Sequence, residues 1–372
     1  NNDIYLYDRE SGETLDLTEH EGNASFSPQY FSPDGNHLVY TTDLDKEFTY
    51  LMTYNIKTGE KTLLEKADWD ISYSYLSRNG KYRVVAINED AKTTMKVYDQ
   101  SNALVKLPEF PNGEITSVNI SPSEQLMSFY VSSSTSPRNL YVYNFENGES
   151  QQLTNTLSPD INQADLVEGE TVRFNSFDGM EIPALLYKPK GLQPGEKAPA
   201  TLWIHGGPGG QTRLGYSAVR QYLVNHGYVV LAVNNRGSSG YGKTFYQADD
   251  LKHGDADLQD CVESKKLLAE LGYVDMNRVA ITGGSYGGYM VMAAMTFTPE
   301  EFDAGVNIFG VTNWLRTLQS IPPWWGSFRE ALYAELGNPE TDSLALYNKS
   351  PLFFTQNITK PVLVLQGAND PR

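Results

Sequence analysis

A serine flanked by glycines is the residue of this sequence that is best suited to chemistry. Ser285 is the third residue of the pattern Gly283-x-Ser285-x-Gly287, which follows an apolar run at 278–282. The pattern predicts a strand, a sharp turn and a helix, with glycines where the turn leaves no room for side chains. Such a turn lifts the serine hydroxyl into the open, where it becomes a nucleophile for acyl transfer once a base takes its proton.

The partners of such a serine are a carboxylate and a histidine, which follow it in that order in folds that carry this turn. Asp370 follows the apolar run at 361–366, where the carboxylate is expected. All of the histidines precede the serine; they are His20, His37, His205, His226 and His253. We therefore expect the catalytic histidine beyond Arg372, and we expect the 372 residues alone to be inactive.

Composition and charge exclude several classes of function. The net charge of −17 and the lack of a basic cluster argue against nucleic acid as a partner. No apolar run is long enough for a membrane span, and the single cysteine, Cys261, rules out an intramolecular disulfide. The acidic trio Asp255, Asp257 and Asp260 lacks clustered histidines, so we interpret it as charges at a helix N-terminus. We expect no metal and no cofactor; the compartment and the oligomeric state, a homo-oligomer included, stay open.

The elements that must position these residues begin with a repeat in the first half of the chain. A tyrosine followed by Asp or Asn recurs at intervals of 47, 44 and 45 residues. The copies are Tyr7-Asp8, Tyr54-Asn55, Tyr98-Asp99 and Tyr143-Asn144. A second marker keeps the same phase, as Ser32-Pro-Asp-Gly35, Ser77-Arg-Asn-Gly80 and a weaker Ser121-Pro-Ser-Glu124.

This period, with about four short strands in each unit, is typical of β-propeller blades. We predict a partial β-propeller of about three and a half blades over residues 1–164, with a generic antiparallel β domain as the alternative. Because propellers close with about four to eight blades, we expect the sequence to begin inside a propeller.

The second half of the chain alternates strands with helices, which predicts an α/β domain over residues 165–372. Its sheet should be doubly wound and mostly parallel, entered through an antiparallel hairpin around Asp178-Gly179. A helix is predicted at 257–271, and the sheet's last strand and helix are expected beyond the end of this sequence. The predicted strands lie at 171–177, 182–187, 200–205, 228–234, 278–282, 304–309 and 361–366.

Four motifs in series carry a resemblance to a known family. They are His205-Gly-Gly-Pro208, the loop 234–242, the serine turn at 283–290, and Gln366-Gly-Ala-Asn-Asp-Pro-Arg372. Together they resemble the prolyl oligopeptidase family of serine peptidases, in particular its acylaminoacyl-peptidase and bacterial dipeptidyl-aminopeptidase-like branch. The resemblance covers the whole chain, because that family joins an N-terminal β-propeller to a C-terminal α/β hydrolase.

The resemblance implies roles for individual residues. Ser285 corresponds to the nucleophile, and Asp370 corresponds to the carboxylate that orients the histidine. The backbone N–H groups of Tyr286 and Gly207 correspond to the oxyanion hole. His205 aligns with the oxyanion loop, so by this likeness it either lends a polar group there or anchors the turn, and it is not the general base.

The resemblance also implies substrate contacts. Arg372 corresponds to the arginine that grips a substrate carbonyl, for which a guanidinium offers a fixed fork of donors, unless it is a solvated residue. Trp314 corresponds to an aromatic residue in the wall of the primary specificity pocket. Trp324 and Trp325 either line the same cleft or pack inside the domain, and a pocket of indoles would favour an apolar side chain.

The function that the resemblance implies is the hydrolysis of short peptides by a serine peptidase, with the propeller as a size filter. An esterase of the same fold and a non-catalytic propeller–hydrolase binding protein are the alternatives. Dipeptidyl peptidases of the family hold a free amino terminus with paired glutamates, and no Glu-Glu pair occurs in residues 1–164. We therefore favour acylaminoacyl or general oligopeptidase specificity over dipeptidyl specificity.

Overall fold

The computed structural model describes residues 2–370, without the side chain of Ser327, and divides into two compact units. Unit 1 runs to Gln163 and also takes in Arg213–Tyr216 and Gly240–Thr244, and unit 2 is the remainder. Within the described residues, no helix combines the length and the apolar character that crossing a membrane would require.

Unit 1 is built from antiparallel sheets of consecutive strands. The sheets are β1-β2, β3 to β6, β7 to β9, and β10 to β13. The strands are β1 (Tyr5–Tyr7), β2 (Thr14–Asp16), β3 (Phe26–Phe31), β4 (His37–Thr42), β5 (Tyr50–Asn55), β6 (Lys61–Glu65), β7 (Asp70–Leu76), β8 (Tyr82–Glu89), β9 (Lys92–Asp99), β10 (Gly113–Ile120), β11 (Leu126–Ser133), β12 (Ser136–Asn144) and β13 (Ser150–Gln152). The third sheet has no full fourth strand, and an isolated bridge between Tyr98 and Leu104 stands in its place.

The second sequence marker forms the same turn in each of its three copies. Each turn begins with a serine whose hydroxyl oxygen accepts a hydrogen bond from the N–H five residues later. The serines are Ser32, Ser77 and Ser121. The fourth residue of the turn has a positive φ, and it is glycine in the first two copies and Glu124, with φ 57°, in the third.

Consecutive sheets of unit 1 bury their faces against each other. On β8 the neighbouring residues Val84 and Val85 point to opposite faces, as strand geometry requires, and both are fully buried. Val85 packs in a cluster with Leu51 of the preceding sheet. Val84 packs with Phe129 of the following sheet. The sheet β7 to β9 is therefore sandwiched between its neighbours, as a propeller blade is.

Unit 2 contains a seven-stranded sheet in the order β14-β15-β17-β16-β18-β19-β20. Its strands are β14 (Glu170–Asn175), β15 (Glu181–Tyr187), β16 (Ala198–Ile204), β17 (Val229–Val233), β18 (Val274–Gly284), β19 (Ala304–Ile308) and β20 (Val362–Leu365). The pairs β14/β15 and β15/β17 are antiparallel, and the other pairs are parallel. The predicted hairpin and the predicted mostly parallel sheet are both confirmed.

Helices connect these strands. They are α1 (Ala218–Asn225), α2 (Lys243–Tyr246), α3 (Ala256–Glu270), α4 (Tyr286–Phe297), α5 (Trp314–Gln319), α6 (Gly326–Leu336) and α7 (Ser343–Asn348), with 3-10 turns at Gln163–Asp165, Pro323–Trp325 and Pro351–Asn357. α4 is apolar all round, and its residues from Tyr286 to Thr296 are buried, as a helix without a polar face must be.

The register of the parallel strands brings the sequence motifs of unit 2 to one edge of the sheet. Ile204 at the end of β16 is paired with Gly283 of β18. Ile308 at the end of β19 is paired with Gly284 on one side and with Leu365 of β20 on the other. The loops that follow β16, β18 and β20 therefore leave the sheet at its carboxyl edge, which is where open α/β sheets hold their sites.

Candidate active site

Ser285 occupies a strained turn between β18 and α4. Its φ of 57° and ψ of −119° are unusual for a residue with a side chain. Two backbone hydrogen bonds hold it: its N–H donates to Ile308 O at 3.0 Å, and its carbonyl accepts from Tyr289 N at 3.0 Å. Such strain persists only where the surroundings restrain the residue. The predicted strand, turn and helix are confirmed.

Glycines surround the serine because backbone approaches backbone there. A Cβ on Gly283 would lie 2.5 Å from Gly287 O, and a Cβ on Gly287 would lie 2.2 Å from Ile204 O. A Cβ on Gly206 would lie 3.4 Å from the Cβ of Ser285 and 3.9 Å from its Oγ. The turn that follows β16 is therefore next to the serine hydroxyl.

Two backbone N–H groups at this edge are free to bind a ligand. The N–H of Tyr286 belongs to the first residue of α4, so it has no acceptor inside the helix. The N–H of Gly207 lies in the turn after Gly206. Within residues 2–370 neither N–H donates a hydrogen bond. An oxyanion hole requires such donors, and the positive end of the helix dipole favours an anion at the Tyr286 N–H.

His205 anchors the turn after β16. Its Nδ1 lies 2.9 Å from Gly206 O and its Nε2 lies 2.8 Å from Ser238 Oγ. Burial lowers the pKa of His205, so the ring is neutral at physiological pH. Both ring nitrogens are engaged, and neither bonds to Ser285 in the described structure. Of the two roles that the sequence left open for His205, this geometry corresponds to the structural one.

Asp370 lies in the loop that follows β20. Its side chain is exposed, and its Oδ2 accepts a hydrogen bond from Gln366 Nε2 at 3.1 Å. Its N–H donates to Gly367 O at 3.2 Å. The carboxylate is thus on the same edge of the sheet as Ser285, two strands away. Arg372 lies outside the described residues.

The three tryptophans have different surroundings. Trp314, the first residue of α5, is only 4% exposed and packs against the rings of Tyr289 and Tyr286, with centroid distances of 5.0 and 6.2 Å. Trp324 is 81% exposed. Trp325 contacts the ring of Phe328 at 5.4 Å. The structure thus brings Trp314 to the helix after the nucleophile, and it brings neither of the other two there.

A buried polar cluster lies behind the serine turn. The hydroxyl of Tyr286 bonds to Asp257 Oδ2 and lies 2.7 Å from Nδ1 of His253. The same Nδ1 is 3.2 Å from Asp249 Oδ2, and Nε2 on the other side of the ring is 3.9 Å from Glu335 Oε1. The side chains of His253 and Asp257 have no exposure to solvent.

The charges in this cluster perturb its titrations. Although burial opposes the cation, hydrogen bonds with Asp249 and Asp257 raise the pKa of His253 to about 10. Burial raises the pKa of Glu335 to about 7. Burial and the Asp257 charge raise the pKa of Tyr286 well above its usual value. At neutral pH the cluster therefore holds an imidazolium and a neutral phenol.

The set Asp249, His253 and Glu335 contains ligand types for a metal. However, hydrogen bonds with Asp249 and Asp257 raise the pKa of His253, against the cost of burial, and a protonated imidazole has no lone pair to offer a metal. We assign no metal to this cluster.

The acidic residues at the start of α3 were predicted to act only as charges at a helix N-terminus, and the structure gives them different roles. Asp257 Oδ1 does accept from the N–H groups of Gly254 and Leu258 at the start of α3, as expected. Asp260 is instead the partner of Arg236, whose guanidinium and N–H it binds at 2.8–3.1 Å. The helix-charge prediction was wrong for Asp260, because that residue faces the sheet and not solvent.

Sequence reasoning missed His253 and Glu335. In the spacing Asp249-x-x-x-His253-x-x-x-Asp257 the histidine has an aspartate four residues away on each side, which is a usable signal for a histidine between two carboxylates. Glu335, on α6, carried no comparable signal. It reaches the cluster only through the tertiary fold.

Known proteins resemble both parts of the chain. Residues 214–372 match the prolyl oligopeptidase family, and residues 1–156 match the N-terminal β-propeller domain of prolyl oligopeptidase. Dipeptidyl aminopeptidase BIII of Pseudoxanthomonas mexicana is 31% identical over 372 residues, which cover 97% of this chain and 54% of that protein.

Solved structures have the same fold. The puromycin-hydrolyzing peptidase of Mycobacterium tuberculosis superposes with a TM-score of 0.86 at 23% identity, over 97% of this chain and 56% of that one. The acylaminoacyl peptidase of Pyrococcus horikoshii superposes with a TM-score of 0.76 at 26% identity, with the same coverage of 97% and 56%. The chain therefore spans about half the length of the relatives it matches. The predicted propeller followed by an α/β hydrolase is confirmed.

Proposed function

Because the chain belongs to the prolyl oligopeptidase family, we propose that it carries the nucleophile, Ser285, of a serine peptidase that hydrolyses short peptides. One observation carries the proposal. The hydroxyl-bearing residue is held at φ 57° at the carboxyl edge of the sheet, where the backbone N–H groups of Tyr286 and Gly207 donate to no described residue. That arrangement is suited to acyl transfer.

The reaction follows from these groups. Ser285 Oγ attacks the scissile carbonyl carbon while a histidine takes the hydroxyl proton. The N–H groups of Tyr286 and Gly207 hold the oxyanion, and loss of one such donor typically slows the reaction about 10²- to 10³-fold. The histidine returns the proton to the leaving amine, and water then hydrolyses the acyl-enzyme by the same steps.

The remaining residues of the site are proposed to act around this centre. Asp370 orients the histidine, which we propose lies beyond Arg372, since His205 has both nitrogens engaged and His253 is buried in the cluster. Arg372 binds a substrate carbonyl. Trp314 lies in the wall of the specificity pocket.

Trp324 and Trp325 are proposed to contact the substrate from the segment that ends at the start of α6. The exposure of Trp324 supports this, because an indole that is 81% exposed has most of its apolar surface available to a ligand.

Substrate class is the finer part of the proposal. The named relatives include a dipeptidyl aminopeptidase and an acylaminoacyl peptidase. Residues 1–164 contain no Glu-Glu pair, but the chain spans about half the length of its relatives, so acylaminoacyl, dipeptidyl and oligopeptidase action all belong to the proposal. A homo-oligomer is a further proposal, and light scattering of the full-length protein tests it.

The experiment compares the full-length protein with its Ser285→Ala variant. Chromogenic substrates with an acylated terminus, with a free amino terminus and with an ester bond are offered in parallel. We expect cleavage of at least one peptide class, and a loss of at least about 10³-fold in the variant. Cleavage of esters alone would identify an esterase. Equal turnover by both proteins, or none by either, would contradict the proposed function.

A further inference from the structure

The hydroxyl of Tyr286 has a surrounding that the proposed reaction does not by itself explain. In the acyl-transfer mechanism only the backbone N–H of this residue takes part. Yet its side chain ends between a carboxylate and an imidazole, both fully buried. Burying charged groups is costly unless they are hydrogen-bonded to partners. A cluster of this kind directly behind a nucleophile therefore calls for a reason.

We propose that His253 and Asp257 are positioning residues for the oxyanion hole, because they hold the Tyr286 phenol and thereby fix the direction of the Tyr286 N–H. This inference rests on the proposed function, since it assigns the cluster to the same site.

A path of hydrogen bonds ties the Tyr286 phenol to a second helix. The Tyr286 hydroxyl donates to Asp257 Oδ2 and its oxygen accepts from His253 Nδ1–H. Asp257 Oδ1 is itself held by the N–H groups of Gly254 and Leu258, at 2.7 and 2.8 Å. The phenol is thus tied to the first turn of α3, a separate helix that packs on the same sheet.

The phenol restrains the backbone next to Ser285. Ser285 is held in its strained conformation by one hydrogen bond on each side. A strained residue keeps a single conformation only if its neighbours are also held. The N–H of the next residue, Tyr286, makes no hydrogen bond that fixes its direction, so the contacts of the Tyr286 side chain supply that restraint. Misplacing a catalytic group by about 1 Å can cost about 10²-fold in rate.

The Nδ1–H donor of His253 stays in place at physiological pH. The cation of His253 keeps a proton on Nδ1, because both ring nitrogens of an imidazolium are donors. A pKa near 10 means that this proton is present below that pH and is lost above it. The titratable groups that face or perturb this cluster are Asp249, Asp250, Asp255, Asp257, Cys261, Tyr246, Tyr286, Tyr289, Glu335 and Lys349.

The first test removes one oxygen atom. In the full-length protein, Tyr286→Phe deletes the hydroxyl that is held, and Tyr289→Phe is the matched control on the same helix. The Tyr289 hydroxyl is equally buried, and within residues 2–370 it makes no hydrogen bond to His253 or Asp257. We expect Tyr286→Phe to lower kcat about 10- to 100-fold with KM changed less than about 2-fold. Tyr289→Phe should stay within about 2-fold of the parent in both constants.

The second test asks which side of the imidazole acts. In His253→Asn the amide nitrogen takes the position of Nδ1, so a donor to the phenol is kept. In His253→Gln the amide takes the position of Nε2 and faces Glu335 instead. The glutamine is closer to histidine in size, so a role in packing alone predicts that it is the better replacement. We expect the reverse, with asparagine retaining at least about 5-fold more kcat than glutamine.

A second readout separates this inference from the proposed function. A small fluorophosphonate reacts when Ser285 Oγ gives its proton to the histidine and bonds to phosphorus while fluoride leaves, and this needs the oxyanion hole but no peptide recognition. If the parent labels Ser285 but cleaves no peptide, the labelling rates of the same variants decide the inference. Equal rates for Tyr286→Phe and Tyr289→Phe, or glutamine matching asparagine at His253, would overturn it. A parent that does not label at Ser285 would overturn both.

Discussion

Replacing Glu124 with glycine should destabilise unit 1, although its repeat has glycine at this position in the other copies. The turns at Ser32 and Ser77 have glycine as their fourth residue, with φ of 69° and 76°. Glu124 takes the same left-handed conformation with φ 57°, which costs a residue with a side chain about 1–2 kcal/mol. A consensus of the repeats therefore predicts that glycine would stabilise the domain.

The contacts of the carboxylate predict the opposite. Glu124 Oε1 accepts from Ser77 Oγ at 2.5 Å, from Asn79 N at 2.9 Å and from Lys81 N at 3.3 Å, and the side chain is buried. Hydrogen bonds to a charged group contribute about 1.5–3 kcal/mol each, and buried donors left without a partner add to the loss. The two shorter bonds alone contribute about 3–6 kcal/mol. Loss of the carboxylate therefore outweighs relief of the strain, by about 1 kcal/mol or more.

The variants form a series with a definite order. Glu124→Ala loses the bonds and keeps the strain, so it should be less stable than Glu124→Gly. The control is Asp45→Gly, at an exposed position of the same unit with φ 55° and no side-chain hydrogen bond to a described residue. There no hydrogen bond is lost, and the greater freedom of glycine in the unfolded chain offsets part of the strain relief, so we expect a gain of less than about 1 kcal/mol and no loss.

The assay is urea unfolding of the full-length protein, followed by hydrogen exchange of peptides from β7 to β12. A second signature is pH dependence. Against the cost of burial, hydrogen bonds from Ser77 and Asn79 lower the pKa of Glu124 below 4.5. Its contribution is thus present above that pH and is lost as the pH falls through the lowered value, so the variants should converge with the parent in acid. A Glu124→Gly variant as stable as the parent at neutral pH would refute the reasoning.

Three further predictions concern unit 2. Gly287→Ala puts a methyl group 2.2 Å from Ile204 O, so it should cost about 3 kcal/mol or more in thermal unfolding and should slow labelling of the serine, whereas unchanged labelling would contradict the packing argument. Asp260→Asn breaks a buried ion pair and should cost about 3–5 kcal/mol, against less than about 1 kcal/mol for Asp275→Asn at an exposed pair, and similar urea midpoints for the two would count against it. Burial raises the pKa of Glu335 from 4.5 to about 7, so the free energy of unfolding falls by about 3 kcal/mol as the pH rises through that window. Glu335→Gln should remove this pH dependence, and an unchanged pH dependence in the variant would exclude the assignment.

Local patterns in the sequence were enough to predict most of the fold. Strand β18 and the turn at Ser285 follow from an apolar run and glycines that are adjacent in the chain. The blades follow from turn residues that recur in phase, and the predicted helix at 257–271 agrees with α3 within one residue at each end. These features depend on interactions within a few residues, so their causes are visible in the sequence.

The family motifs predicted which residues form the site, but they did not predict the contacts of those residues. They predicted that the turn after His205 and the serine turn belong together, and register placed both at one sheet edge. They could not predict that both nitrogens of His205 would be engaged, or that Trp314 would be nearly buried. The roles of Ser285 and Asp370 stay predictions until their variants are assayed.

Only the tertiary structure decided which charged groups are buried and which partners they have. Glu124 binds a turn 47 residues earlier in the chain, and Asp260 bonds to Ser176, 84 residues away. Tyr286 meets Asp257 across 29 residues, and Glu335 joins them from another helix. No periodicity or turn signal encodes such pairs, because the free energy of a buried charge depends on partners that chain folding brings together. The sequence by itself determined the position of the candidate nucleophile in its turn, and tertiary packing determined which buried groups hold that turn in place.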